Sequence, residues 1–333
     1  MVQISPEQKE LGTYVTDNNG RIAVTDLKVG AVIRVTEEIP EGYVSEEPVQ
    51  ELTLVKGMNS VSFANREIVG GLKISKTTCL SESEQVPVVG AVYAVYDSNH
   101  NKVAEAATDE NGEVTFDGLL YGDYTYMEIL APDGFELDET EYSFSIWEDG
   151  VTITDEREND RKQGSISVFK TDENGSALSG IVFQLDYSLD NGETWQPVVA
   201  AVDPEFTEAG YCTSEGLTEG QLTTGEDGMA VFSGLAVSTP VQTILYRVTE
   251  ISTREGYNLL NGPVYEGELT DPDALELGFT MVNTPVFTLP RTGGGGFSCL
   301  WIAVCMAFMS GGLVLRAILP ESIGKRKEDQ TKE

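Results

Sequence analysis

A chain of 333 residues is long enough for two or three domains, each burying its own core. Its formal net charge of −34 argues against nucleic acid or an anionic membrane surface as a partner, because both would repel it. His100 is the single histidine, so most general-base and metal chemistry would have to run without imidazole.

The chain opens Met-Val-Gln-Ile-Ser-Pro-Glu-Gln, with neither the basic nor the apolar region of a signal peptide. Further on, a pattern recurs three times: a Thr-Asp-x-x-Gly turn or its relative, an alternating strand, a strand ending in Glu, a Gly-aromatic turn and a last alternating strand. The first copy gives Thr16-Asp17-Asn18-Asn19-Gly20, then Val35-Thr36-Glu37, then Pro40-Glu41-Gly42-Tyr43. The second gives Thr108-Asp109-Glu110-Asn111-Gly112, then Tyr126-Met127-Glu128, then Pro132-Asp133-Gly134-Phe135. The third gives Gly225-Glu226-Asp227-Gly228, then Val248-Thr249-Glu250, then Arg254-Glu255-Gly256-Tyr257. Short alternating strands between Gly, Asn and Asp turns predict an all-β sandwich in each copy.

These repeats resemble the B-type repeat of collagen-binding adhesins and the related SpaA-type pilin domains, across nearly all of the chain before Leu289. The resemblance implies Ig-like (prealbumin-like) sandwiches. It also implies an isopeptide bond between a first-strand Lys and a last-strand Asn or Asp, assisted by a buried Glu. Period-two alternation tests whether such residues face inward here. In the second copy Leu72, Ile74 and Lys76 share a face, as do Tyr124, Tyr126 and Glu128, and Val151, Ile153 and Asp155. In the third the sets are Ile166, Val168 and Lys170; Tyr246, Val248 and Glu250; and Phe279, Met281 and Asn283. The expected bonds are therefore Lys76–Asp155 and Lys170–Asn283, with Glu128 and Glu250 assisting. Burial drives a lysine and a carboxyl toward their neutral forms, so an amine can attack a side-chain carbonyl that the acid polarises.

The first copy departs from this pattern. Ile33, Val35 and Glu37 are present, as are Val61, Phe63 and Asn65, but too few residues precede Thr16 for an opening strand with its Lys. Lys9 sits in Pro-Glu-Gln-Lys-Glu-Leu-Gly, without apolar alternation. The expectation is an incomplete site at Glu37 and Asn65, in a chain whose upstream part, signal peptide included, is missing.

The third copy holds an insertion at about Ser188 to Leu222, in which Ser188-Leu189-Asp190-Asn191-Gly192-Glu193-Thr194-Trp195 matches an Asp-box hairpin. A single such hairpin reads as a tight turn with Trp195 packed beneath it rather than as a sialidase. The turns at Asp17 and Asp109 lack the distant bidentate Glu of a calcium-binding EF-hand and read as hairpin turns. Cys79 and Cys212 fall in different domains, and Cys299 and Cys305 lie in an apolar stretch, so no disulfide framework or zinc site follows.

At the C-terminus Leu289-Pro290-Arg291-Thr292-Gly293 precedes a glycine run, an apolar segment from Phe297 to about Leu315, and the basic cluster Lys325-Arg326-Lys327. The apolar segment is long enough to cross a bilayer as a helix, with its basic end in the cytoplasm. The three parts in this order resemble the LPxTG sorting signal of Gram-positive surface proteins. That resemblance implies cleavage after Thr292 by a sortase and transfer to peptidoglycan or to a pilin subunit.

The sequence thus predicts an all-β chain of tandem sandwiches followed by one transmembrane helix. The expected divisions are 1–70, 71–160, 161–287, a sorting linker 288–296, a helix 297–319 and a tail 320–333. No nucleophile, base and orienting acid occur together, so the chain reads as a non-enzyme apart from single-turnover bond formation, with no cofactor or metal. Its expected place is the extracellular cell wall, with the membrane as a partner only before sorting. The expected role is a pilin or adhesin stalk. The rivals are a module binding a host matrix protein or glycan through the insertion, and a wall-anchored hydrolase.

Overall fold

The computed structural model describes residues 1–81, 84–201 and 208–286. Strands are the regular elements among them, and no described helix is long and apolar enough to cross a membrane. The sorting motif Leu289–Gly293, the expected helix and the basic tail lie outside the described residues.

The N-terminal part holds β1 (Val2–Ser5), β2 (Lys9–Glu10), β3 (Val32–Thr36), β4 (Tyr43–Ser45), β5 (Val49–Thr53) and β6 (Asn65–Glu67). They form one antiparallel sheet, β2-β1-β3-β5, and a separate β4–β6 pair. The buried apolar cluster is small: Ala31, Ile33 and Leu54.

The middle part holds β7 (Val69–Ser81), β8 (Glu84–Pro87), β9 (Val92–Asp97), β10 (Lys102–Ala107), β11 (Glu113–Leu120), β12 (Gly122–Leu130), β13 (Tyr142–Ile146) and β14 (Thr152–Glu158). One sheet runs β11-β7-β14, with β8 also on β7, and the other runs β10-β9-β12-β13. On β7 the strand period of two sends Leu72, Ile74 and Lys76 inward, where all three are buried. They meet Val95, Tyr126, Phe116 and their neighbours in a core of two facing layers. The first strand, β7, is antiparallel to β11 but parallel to the last strand, β14. A parallel pair needs a long crossover, and here the entire opposing sheet serves as that crossover.

The third part repeats the plan with β15 (Gln163–Asp172), β16 (Val182–Ser188), β17 (Gln196–Pro197), β18 (Val199–Ala200), β19 (Tyr211–Cys212), β20 (Gln221–Thr223), β21 (Met229–Ala236), β22 (Leu245–Ser252), β23 (Pro263–Glu268) and β24 (Glu276–Asn283). One sheet is β21-β15-β24, again with first and last strands parallel, and the other is β17-β16-β22-β23 with β20 also on β16. The insertion supplies β17 to β20. Its Asp190 accepts hydrogen bonds from Ser188 Oγ and from the backbone and hydroxyl of Thr194, which hold its carboxyl at about 2. Trp195 Nε1 donates to the Gly192 carbonyl, closing the hairpin expected there.

The recurring turn has a structural task. Gly112 and Gly228 adopt left-handed φ of 72° and 74°. Each carbonyl receives the backbone N–H of a first-strand lysine: Lys76 at 2.7 Å and Lys170 at 2.8 Å. A Cβ at Gly112 would stand 2.4 Å from the Lys76 carbonyl oxygen, and one at Gly228 would stand 2.6 Å from that of Lys170. Only glycine fits both the conformation and the approach. At Asp17 and Asp109 the carboxylates accept backbone N–H groups of the residues that follow, as expected of Asx turns.

Candidate lysine–asparagine crosslink sites

In the third part, period-two alternation turns three polar side chains into the core. Lys170 comes from β15, Glu250 from β22 and Asn283 from the end of β24, and all three are buried. Asn283 Nδ2 donates to Glu250 Oε1 at 2.7 Å and to Thr253 Oγ1 at 2.7 Å. Lys170 Nζ lies 3.8 Å from Glu250 Oε2. Burial pushes the Lys170 ammonium below the ordinary lysine range, with the Glu250 charge opposing. Lys170 Nζ, Glu250 Oε2 and Asn283 Oδ1 are each sealed from solvent without a hydrogen-bond partner. Three such groups in one core are costly as they stand.

The middle part has a matching trio with one member the sequence reading did not choose. Lys76 Nζ lies 3.9 Å from Glu128 Oε2, and both residues are buried. Burial pushes Lys76 down too, against the pull of Glu128. The amide that meets this pair belongs to Asn159: its Nδ2 donates to Glu128 Oε1 at 3.2 Å, and the residue is buried. Lys76 Nζ also donates to the Glu158 carbonyl at 3.0 Å, and the Asp138 N–H donates to Glu128 Oε2 at 3.0 Å.

Asp155, expected as the acceptor, is placed elsewhere. Its carboxylate takes the Tyr126 hydroxyl and the Arg157 guanidinium. Burial works against its charge, but those two partners outweigh it and hold the carboxyl below its usual range. The reason is register. On β24, Asn283 pairs with Asp172, two residues beyond Lys170. On β14, Asp155 pairs with Ile74, two residues before Lys76, while Glu158 already pairs with Thr77 and Asn159 follows it. Positions 155 and 159 share a face, so alternation alone could not choose between them. What separates them is the pairing register with β7, which brings Asn159 and not Asp155 to Glu128.

The N-terminal part keeps the acid and the amide. Asn65 Nδ2 donates to Glu37 Oε1 at 2.8 Å, and Glu37 Oε2 is buried without a hydrogen-bond partner. No described lysine joins them, and Lys9 is exposed on β2. Gly20, the counterpart of Gly112, would place its Cβ in open space, because no lysine strand lies against it.

An amine, a carboxyl and an amide shut together away from water can perform one reaction among themselves. The lysine nitrogen attacks the amide carbon while the acid ferries protons, and ammonia leaves. At 3.8 and 3.9 Å the lysine–glutamate pairs are close enough for that transfer after a small side-chain movement.

The family model of the SpaA prealbumin-like fold domain matches residues 70–161 and again 164–280. No curated protein matches the chain in sequence. Among solved structures, the Bacillus anthracis TIE protein superposes with a TM-score of 0.56 at 23% identity, over 80% of this chain and 44% of that one. The chain thus spans less than half the length of that structure. GBS52, the minor pilin of Streptococcus agalactiae, is matched at 19% identity and a TM-score of 0.29, over 66% of this chain and 98% of that one. BcpA, the major pilin subunit of Bacillus cereus, is matched at 13% identity and 0.27, over 66% and 100%.

Proposed function

The chain belongs to the SpaA prealbumin-like fold family, and from that premise we propose that it is a stalk of a Gram-positive surface protein whose sandwiches lock themselves with internal amide bonds. The observation that carries this reading is the repeated burial of Lys, Glu and Asn together, as Lys76, Glu128 and Asn159 and again as Lys170, Glu250 and Asn283. A trio of that kind left unreacted taxes the fold, whereas the product amide is neutral. Its role is structural, and the two glutamates act once each. Leu289 to Gly293 is then the sortase recognition segment, the following apolar run holds the chain in the membrane until cleavage, and peptidoglycan or a pilin subunit receives the Thr292 carbonyl. The mature protein resides in the cell wall.

Intact mass of the folded full chain tests the bonds. The expected deficit from the sequence mass is two ammonias, one from Asn159 and one from Asn283. Replacing Glu128 or Glu250 by Ala restores one each. A deficit of one ammonia and one water returns the acceptor role to Asp155, and no deficit ends the proposal.

A further inference from the structure

The two trios are built alike but are not equally furnished, and the difference falls on the atom that must leave. In the third part both N–H groups of the Asn283 amide are engaged, one by Glu250 Oε1 and one by Thr253 Oγ1, each at 2.7 Å. In the middle part Asn159 Nδ2 donates, among the described residues, only to Glu128 Oε1, and at the longer 3.2 Å. Thr253 stands three residues after Glu250, and the residue three after Glu128 is Ala131. Both segments then run into the Gly-aromatic turn at the same distance, at Gly256-Tyr257 and Gly134-Phe135, so the positions correspond. Ala131 carries no side-chain oxygen to offer.

We infer that Thr253 is a leaving-group residue: its hydroxyl oxygen holds the departing nitrogen of Asn283, and the third part therefore closes its bond faster than the middle part. The inference rests on the crosslinking reading above. Lys170 first passes a proton to Glu250. Its neutral Nζ attacks Cγ of Asn283, and a C–N bond forms there as the Cγ–Nδ2 bond breaks. Glu250 gives its proton to Nδ2 and takes one from the attacking nitrogen, so the departing group is ammonia and the product a secondary amide. Thr253 acts on this sequence twice. Binding the second N–H fixes the plane of the amide, so the carbon presents one face to the amine. An acceptor on the N–H also enriches the nitrogen in electron density, which eases its uptake of the proton from Glu250.

The test is a time course on the full chain made by cell-free synthesis, quenched in acidic denaturant and digested, with the Lys170–Asn283 and Lys76–Asn159 peptides quantified by mass. In the wild type the Lys170–Asn283 link is expected to form first. Thr253→Val should slow that link about tenfold, the worth of one hydrogen bond to the reacting group, and leave the Lys76–Asn159 rate unchanged as an internal control of folding. Thr253→Ser, which keeps the oxygen, should restore most of the rate. Ala131→Thr should accelerate the link in the middle part, a gain that a merely structural threonine would not confer. A Thr253→Val chain that links as fast as the wild type overturns the inference. A wild-type chain that never loses ammonia at Asn283 overturns the crosslinking reading itself, and shows this before any variant is made.

Discussion

At the residue scale the decisive feature is a lysine with no water around it. Burial pushes Lys170 down while Glu250 pulls it up, so Glu250→Ala should both prevent the proposed bond and remove the opposing influence. Between its depressed folded value and the ordinary lysine value of about 10.4, the folded variant then binds fewer protons than its unfolded chain. Its stability is therefore expected to rise as pH climbs through that window toward about 10.4, and to fall again on return. The linked wild type, whose nitrogen is an amide, should show no such slope from this position. Urea midpoints of the two proteins across that range decide it, and a flat response in Glu250→Ala would mean that Lys170 reaches solvent. Much of this scale was legible in the sequence. Alternation placed Leu72, Ile74 and Lys76 on one face, and Tyr246, Val248 and Glu250 on another, because a half-buried strand exposes every second residue. Asn159 was not legible. It lies in Asp-Glu-Arg-Glu-Asn-Asp, where no apolar neighbour marks the inward face, and only the pairing register to β7 brings it to Glu128.

At the scale of elements, the recurring turn was visible as a repeat, but its purpose was not. Sequence showed a hairpin glycine; the fold shows a glycine pressed on the carbonyl of a buried lysine. Gly112→Ala should cost about 1–3 kcal/mol from its backbone conformation alone. It should also push β7 outward and slow the Lys76–Asn159 link. Gly20→Ala meets nothing within 4 Å and should show only the conformational cost, with both links formed normally. Thermal unfolding and peptide mass of the two variants give the comparison, and equal behaviour would deny the turn its positioning role. Thr108 and Thr224, just before these turns, were likewise missed. Each buried hydroxyl bridges two backbone groups, accepting from Ala91 or Ile181 and donating to the carbonyl of Val88 or Leu178. A threonine beside a turn carries no sequence mark that would reveal such a bridge.

At the scale of the whole molecule, the parts are joined by contacts that no periodicity reports. Arg66 grips Asp149 through two hydrogen bonds of 2.6 Å, and Tyr121 donates to Glu41 at 2.7 Å. At the junction of the second and third parts, Lys162 and Arg161, in the link just before β15, bind Asp271 and Gln242 at 2.8 Å each, and the Gly134 N–H donates across the junction to Asp271 at 3.3 Å. These partners lie 80 or more residues apart in the chain, so their encounter is a product of the fold. The sorting assignment belongs to this scale as well. Alanine at Leu289, Pro290 and Thr292 in the secreted full-length protein should shift it from the muramidase-released wall fraction to the membrane or the medium. An unchanged wall fraction would sink the sortase assignment.

The parallel placement of first and last strands has a consequence under load. A pull on the two ends of the middle sandwich enters at Val69 and leaves beyond Asn159, drawing β7 and β14 past each other lengthwise. Their ladder of hydrogen bonds is then strained all at once in shear, rather than unzipped one rung at a time. Were Lys76 tied to Asn159 as proposed, tension would run from Val69 along β7 to Lys76 and straight out again. The whole opposing sheet, and everything else between those two residues, would then hang beside the path of the force and carry none of it.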